Sequence, residues 1–316
     1  MRERTASPRA AILDLIGGTR LLPLRHVVPE GSARVLLKLE YENPTGSMKD
    51  RMALAMVEAA EADGRLRPGG SVVEYTGGST GVSLAFVCAA KRIPLHIVTS
   101  EAYSREKRDH MKALGAKLTL IASPTGGTTK ELTLEMIETA RRLARAPGSC
   151  WTDQLNNTDQ LSSYERMGEE IWERTAGRID AFVQSVGTGG SLRGNATRLR
   201  EHRKELRVVA VEPEESAVLS GGPSGSHRIE GAGAGFVVPL WRPGLADEIR
   251  TVSSLEAMAM ARRLAAEEGV FAGTSTGANV AAALRVAERL GRDATVVTVA
   301  VDSGMKYLST ELYGTP

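Results

Sequence analysis

Three segments of this sequence carry residues able to do chemistry, and in each the neighbours decide what that chemistry is. The first is Asn43-Pro44-Thr45-Gly46-Ser47-Met48-Lys49-Asp50-Arg51. Pro44 and Gly46 favour a turn, and the MALAMVEAAE that follows has helical character. Lys49 therefore falls in the first turn of a helix, where the dipole disfavours a positive charge and eases loss of the ammonium proton. Such an amine suits Schiff-base chemistry, although an ordinary solvated lysine is the plainer reading of this segment taken alone. The second segment is SVGTGGSLRGNATRLR (185–200), a strand that feeds a glycine-rich turn and then a helix from near Ser191. Unpaired N–H groups at such a helix start converge on one spot and favour a phosphate; a tight turn without a ligand is the alternative. A dinucleotide fingerprint is tempting because Glu212 ends the next strand about 20 residues on, but G-x-G-x-x-G needs glycine where Leu192 stands.

The third feature is a pair of G-x-S-x-G matches, Gly77-Gly78-Ser79-Thr80-Gly81 and Gly273-Thr274-Ser275-Thr276-Gly277. A hydrolase nucleophile elbow orders its partners as Ser, then Asp or Glu, then His. No histidine follows Ser275, and the histidines after Ser79 (His96, His110, His202, His227) stop well short of the C-terminus, so a hydrolase is a poor fit. The five histidines, His26 included, show no H-x-x-x-H or H-E-x-x-H spacing for a metal, and no G-x-x-x-x-G-K-[ST] loop is present. What remains is a lysine amine, a phosphate-binding turn and hydroxyl-rich loops. Together these are what a pyridoxal phosphate site needs.

The elements that must position these groups follow from hydrophobic periodicity. Short β-branched runs at 34–41, 71–75, 94–100, 117–121, 181–186, 207–212 and 295–301 read as strands, several apolar on both faces as buried parallel strands are. Helical stretches at 48–63, 81–91, 104–114, 129–145, 159–175, 192–202, 255–268 and 278–290 lie between them. Alternating βα units predict an α/β fold with mainly parallel sheets covered by helices. Glycines cluster where a strand hands over to a helix, at 76–81 and 187–190, which points to a ligand held between two α/β domains. Residues 1–10 are expected to form a flexible arm.

Composition limits the partners. The 316 residues carry 40 Lys+Arg against 38 Asp+Glu, and this balance predicts no nucleic-acid partner. No run approaches the roughly 20 apolar residues of a membrane span. The N-terminal MRERTASPRA lacks the apolar core of a signal peptide, and two cysteines make no disulfide framework, so a cytoplasmic location is expected. Cys88 reads as a buried helix residue and Cys150 as a loop residue, neither of them catalytic.

Over nearly the whole chain, from about 17 to 313, the sequence resembles the cysteine synthase (O-acetylserine sulfhydrylase) and cystathionine β-synthase group of fold-type II pyridoxal phosphate enzymes. ENPTGSMKDR (42–51) is similar to that family's cofactor-lysine segment, implying Lys49 as the Schiff-base residue. VGTGGSLRG (186–194) resembles its phosphate loop, implying Gly187, Thr188, Gly189, Gly190 and Ser191 as cofactor contacts. EGVFAGTSTGANVAAAL (268–284) resembles the segment whose serine meets the pyridine nitrogen, implying Ser275. HRIEGAGAGFVVP (227–239), which implies Gly231 as a substrate contact, AVEPEES (210–216) and VDSGMKYLST (301–310) match further segments in order.

The resemblance implies a small mobile domain of 43–155, a large cofactor domain of 11–42 plus 156–316, and a homodimer. A neutral serine at the pyridine nitrogen makes the ring a moderate electron sink, suited to expelling a β-substituent. Lys49, once displaced by the substrate amine, is then placed to take the α-proton. The implied activity is β-replacement on an activated serine-type amino acid through an aminoacrylate, as in making cysteine from O-acetylserine and sulfide. The alternatives are a β-eliminating lyase, such as a cysteine desulfhydrase or serine/threonine dehydratase, and more remotely a catalytically silent scaffold.

One motif departs from the family. Its substrate-carboxylate loop usually reads Thr-Ser-Gly-Asn-Thr-Gly, where this chain has Thr76-Gly77-Gly78-Ser79-Thr80-Gly81. Ser79 takes the place of an asparagine that reaches both the cofactor's phenolic oxygen and the substrate. Thr76, Thr80 and Gln154, the last in WTDQLNN, remain as expected carboxylate ligands.

Overall fold

The computed structural model describes residues 12–123 and 128–314, so the expected arm at 1–10 lies outside the described residues. Strands and helices alternate as the hydrophobic pattern requires. The first half runs β1 Leu21–Pro23, β2 Arg34–Leu39, α1 Lys49–Ala62, β3 Ser71–Tyr75, α2 Ser79–Lys91, β4 Leu95–Ser100, α3 Arg105–Ala113, β5 Lys117–Ile121, α4 Lys130–Leu143 and β6 Ser149–Trp151. The second half runs α5 Gln160–Thr175, β7 Ala181–Ser185, α6 Gly190–His202, β8 Arg207–Pro213, β9 Glu248–Val252, α7 Ser254–Glu268, α8 Thr274–Leu290 and β10 Thr295–Ala300.

Two sheets result. One has six strands in the order β1-β2-β10-β7-β8-β9, and the other has four in the order β5-β4-β3-β6. Every pairing is parallel except β1 with β2. This is the α/β class expected from the sequence. The three strands that the periodicity did not reveal, β1, β6 and β9, all stand at sheet edges. An edge strand needs one partner and tolerates polar residues, so it leaves little apolar signal. β6 also corrects the placement of Cys150, which is a buried strand residue rather than a loop residue.

The central strand β10, TVVTVA, is buried along its whole length. Its polar Thr298 is satisfied by donating its hydroxyl to the Val183 carbonyl at 2.7 Å, so a buried polar group leaves no orphan there. Strands β3 to β6 (71–151) form the smaller sheet, and β1, β2 and β7 to β10 form the larger one. Because the strands are parallel, their carboxyl ends point the same way within each sheet. The turns after β2, β3, β7 and β10 are therefore the places where side chains can converge on a ligand.

Candidate active site

Those turns meet in one cleft. Of the residues expected from the sequence, Lys49, Thr76, Gly77, Gly78, Ser79, Thr80, Gln154, Gly187, Thr188 and Gly231 line it. Gly189, Gly190, Ser191 and Ser275 are not among the residues that line it.

Lys49 is the first residue of α1 and is buried. The turn before it is built by Gly46 at φ 73°, and Asp50 accepts from the Thr45 backbone N–H at 2.8 Å and its hydroxyl at 2.5 Å. Two residues on, Arg51 anchors the helix from below. Its guanidinium reaches Glu40 at 2.7 Å and Glu170 of α5 at 2.7 Å, while Lys38 of β2 meets Glu170 at 2.6 Å. Burial is the main reason that the Lys49 amine is pulled down to about 8; the nearby Asp302 carboxylate opposes this and the Lys107 ammonium adds to it. Desolvation of the charged form is thus the leading cause, in place of the helix dipole that the sequence alone suggested.

The 76–81 loop ends β3 and opens α2. Its glycines are demanded by α3 and the chain just before it. A Cβ at Gly78, which sits at φ 139°, would lie 2.3 Å from Lys107 Cδ, and one at Gly77 would lie 2.7 Å from the Tyr103 ring. The serine that the family places at position 77 is therefore replaced in space by Tyr103. The hydroxyls of this loop are already committed in part. Thr80 donates to Gln154 Oε1 at 2.8 Å, Gln154 Nε2 donates to the Tyr75 carbonyl at 2.7 Å, and Ser79 donates to Asp302 at 2.8 Å. Thr76 Oγ1 accepts from the Gly78 N–H at 2.9 Å, which leaves its own hydrogen for the cleft.

The 186–190 loop ends β7 and opens α6, two residues earlier than the periodicity suggested. A Cβ at Gly187 would meet the Gly231 carbonyl at 2.2 Å, so two glycine segments pack backbone to backbone. Helices α4 and α7 are capped by side chains, Thr129 and Ser253. By contrast α2, α6 and α8 start after glycine with no side chain of the N-cap residue to cap them. At α6 the Gly190 N–H donates to Thr188 Oγ1 at 3.3 Å, while the first N–H groups of α2 and α8 stay available. Ser191, expected among the cofactor contacts, exchanges hydrogen bonds with Gln184 at 2.8 and 3.1 Å and braces the loop from behind. Ser275, in the first turn of α8, is buried with a hydroxyl that has no hydrogen-bond partner among the described residues. An orphaned buried hydroxyl costs roughly 1–3 kcal/mol, which a ring nitrogen would recover. A buried lysine, an uncapped glycine turn for a phosphate and an orphaned serine for a pyridine nitrogen fit pyridoxal phosphate.

The other readings lose their footing. His96 meets Thr119, His202 meets Glu169 and His227 meets the Gly233 carbonyl, so none serves Ser79 or Ser275 as a base. Glu212 accepts from the Leu219 N–H and from the Ser220 N–H and hydroxyl, holding a loop and not a ribose. No cluster of three metal-ligating side chains occurs among the described residues, and no helix among them is long and apolar enough to cross a membrane. Cys88 and Cys150 are free and buried, and burial pushes the Cys88 thiol up to about 12.

Several functional positions escaped the sequence reading. Asp302 follows β10 and accepts from Ser79 and Tyr307. Lys107 of α3 pairs with Glu230 of the 227–235 loop at 2.6 Å across the cleft and lies 4.1 Å from the centre of the Tyr307 ring. Glu74, buried on β3, accepts from Tyr75 N, Trp151 Nε1, Thr152 Oγ1 and Gln154 N. Burial pushes it up to about 7 in spite of these four donors, and it ties Gln154 to the sheet. The signals for these groups were the runs VDSGMKYLST, which holds Asp302 and Tyr307, and HRIEGAGAGFVVP, which holds Glu230, and periodicity gives no reason to single out any of the three.

Parallel sheets facing one cleft, with a desolvated lysine opposite a glycine-rich helix start, define a fold-type II pyridoxal phosphate enzyme. The pyridoxal-phosphate dependent enzyme family matches residues 12–302. A cysteine synthase of Staphylococcus aureus is 44% identical over 304 residues, covering 96% of both chains. A cysteine synthase structure from Entamoeba histolytica superposes with a TM-score of 0.90 at 35% identity, covering 100% of this chain and 94% of that one. An O-ureido-L-serine synthase superposes at 0.89 with 39% identity, covering 96% and 94%. The chain belongs to the cysteine synthase group of the pyridoxal-phosphate dependent enzyme family and takes that cofactor.

Proposed function

We propose that this enzyme replaces the β-substituent of an activated serine, taking O-acetyl-L-serine and sulfide to cysteine. The observation that carries this reading is the pairing of a buried Lys49, held down to about 8, with the orphaned Ser275 hydroxyl. When bound, pyridoxal phosphate supplies an electron sink for the charge left at the substrate α-carbon. Lys49 is the amine that would hold the cofactor's aldehyde, and burial keeps a useful share of it neutral near neutral pH. As a free amine its Nζ would take the substrate α-proton as general base. Ser275 offers the ring nitrogen a neutral hydroxyl, which supports loss of a β-substituent over transamination. Gly187, Thr188 and Gly189 offer backbone N–H groups to the phosphate at the start of α6, with the Gly190 N–H turned to Thr188 Oγ1 until a phosphate draws it away. Thr76 and Gln154 lie where the substrate carboxylate enters. Thr80, whose hydrogen goes to Gln154 Oε1, holds that amide in place, and Gly231 also lines the cleft.

The same reading makes 43–155 a small mobile domain over a large one of 11–42 plus 156–316, closing on the amino acid to exclude water. The sorting of β3 to β6 into their own sheet supports that division. The enzyme is further taken to be a cytoplasmic homodimer, which sedimentation of the holoenzyme tests. Activity is tested by supplying O-acetyl-L-serine with and without sulfide. Cysteine formed only with sulfide, and lost in Lys49→Ala, is the expected result. Pyruvate formed at the same rate without sulfide would replace this reading with a lyase.

A further inference from the structure

Position 79 does not offer the cleft what an asparagine there would. Ser79 Oγ gives its hydrogen to Asp302 Oδ2 at 2.8 Å. A hydroxyl has one hydrogen and two lone pairs, so what Ser79 can turn toward the cleft is acceptor only. Its carboxylate partner is firmly held. Tyr307 OH donates to both Asp302 oxygens, at 3.1 and 2.9 Å, and the Asp302 carbonyl accepts from the Gly273 N–H at 3.1 Å. A Cβ at Gly273 would lie 2.5 Å from Asp302 Oδ1 and 2.4 Å from the Tyr307 ring, so the backbone there makes room for the pair. Ser79 is half-buried and Asp302 is buried, and both line the cleft.

A substrate carboxylate placed on Ser79 would find no hydrogen and would face the Asp302 charge one bond away. The loop has better places for it: the uncommitted hydrogen of Thr76 and the uncapped first N–H groups of α2. A hydrogen donor on the ligand, by contrast, would meet an oxygen whose basicity is raised by its own bond to a carboxylate. We propose that Asp302 is a positioning residue that fixes Ser79 as a hydrogen-bond acceptor, so that this site reads an N–H or O–H of the bound amino acid while Thr76 and the start of α2 hold its carboxylate. The inference rests on the cleft being a pyridoxal phosphate site for amino acids and names which part of the ligand position 79 recognises.

The donor can be the α-amine or a β-hydroxyl. L-alanine carries only the first and L-serine carries both, so the two ligands separate the sources. The holoenzyme is titrated with each while the visible band of its lysine-bound cofactor is followed, in wild type, Ser79→Ala, Asp302→Asn and the double variant. Ser79→Ala is expected to weaken L-serine about tenfold, the size of one charge-assisted bond. Asp302→Asn, whose amide can hand a hydrogen back toward Ser79, should do the same, and the double variant should be no worse than either single one. Weakening of both ligands identifies the amine as the donor, and weakening of L-serine alone identifies the hydroxyl. Tyr307→Phe is a second probe of Asp302 should Asp302→Asn not fold, and its effect must vanish once Ser79 is alanine. Affinities left unchanged by Ser79→Ala, or effects that multiply in the double variant, would overturn the proposal. Absence of the visible band in reconstituted wild type would instead refute the reading of the cleft itself.

Discussion

Replacing the Lys49 amine should make the apoenzyme more stable, by an amount that depends on pH in one direction only. Burial lowers this amine from its ordinary 10.5 to about 8. At about 1.4 kcal/mol for each tenfold change in proton affinity, that drop means the folded chain carries about 3 kcal/mol of strain whenever Lys49 is charged. The unfolded chain binds the extra proton between about 8 and 10.5, so stability rises with pH across that window and the penalty is full below it. Lys49→Met removes the charge and keeps an unbranched chain of similar bulk. The assay is urea unfolding of wild type and Lys49→Met, both stripped of pyridoxal phosphate, at several pH values from 7 to beyond 10. The variant should be the more stable at pH 7, with the gap narrowing by about 3 kcal/mol as the pH passes from 8 to 10.5. Lys306, also lowered to about 8 by burial, is present in both proteins and cancels in the difference. Two stability curves that run parallel with pH would refute a strained ammonium at position 49, whatever their offset.

The remaining predictions concern the groups around that lysine. Glu170 is pulled down to about 2 because Arg51 and Lys38 outweigh its burial. Wild type should therefore lose stability as pH falls from about 4.5 toward 2, and Glu170→Gln, which keeps the lowered carboxylates of Glu40 and Glu248, should lose less over the same range in urea midpoints. Gly77→Ser, which restores the family's residue, should cost roughly 1–3 kcal/mol because Tyr103 fills its space. Thermal unfolding should show most of that cost disappearing in a Tyr103→Ala background. Glu230→Gln strands the buried Lys107 and should destabilise toward the lower end of roughly 3–5 kcal/mol, since Glu230 is partly exposed. Lys107→Met combined with Glu230→Leu should recover much of the loss. Ser275→Ala should raise the dissociation constant for pyridoxal phosphate several-fold, about the 1 kcal/mol of one neutral hydrogen bond, measured by fluorescence on reconstitution.

The fold was legible because buried parallel strands must be apolar on both faces, and β2, β3, β4, β7, β8 and β10 each read that way or nearly so. What failed to register was structure with no need of such a signal. β1 is three residues ending in Pro23, β6 is three residues, and β9 mixes charge with half-buried side chains because it stands at an edge. The site divides along similar lines. Lys49, Ser275 and the glycine turns each sit in a contiguous motif, so one dimension suffices to find them. Lys107, Glu230 and Asp302 acquire their roles through contacts made across 123 to 223 positions of chain, Lys107 with Glu230 and Ser79 with Asp302. The two glycines at 77 and 78 join these cases. Read along the chain they are a missing serine hydroxyl and a flexible neighbour, whereas in space they are room for Tyr103 and Lys107. The departure from the family's loop lies at 77 and 79, beside a Gly78 that the family shares. Gly77 admits Tyr103, Gly78 admits Lys107, that lysine pairs with Glu230, and the serine at 79 turns to Asp302. A single substitution in this set should act through its partners, which is why the decisive measurements are paired variants and not single ones.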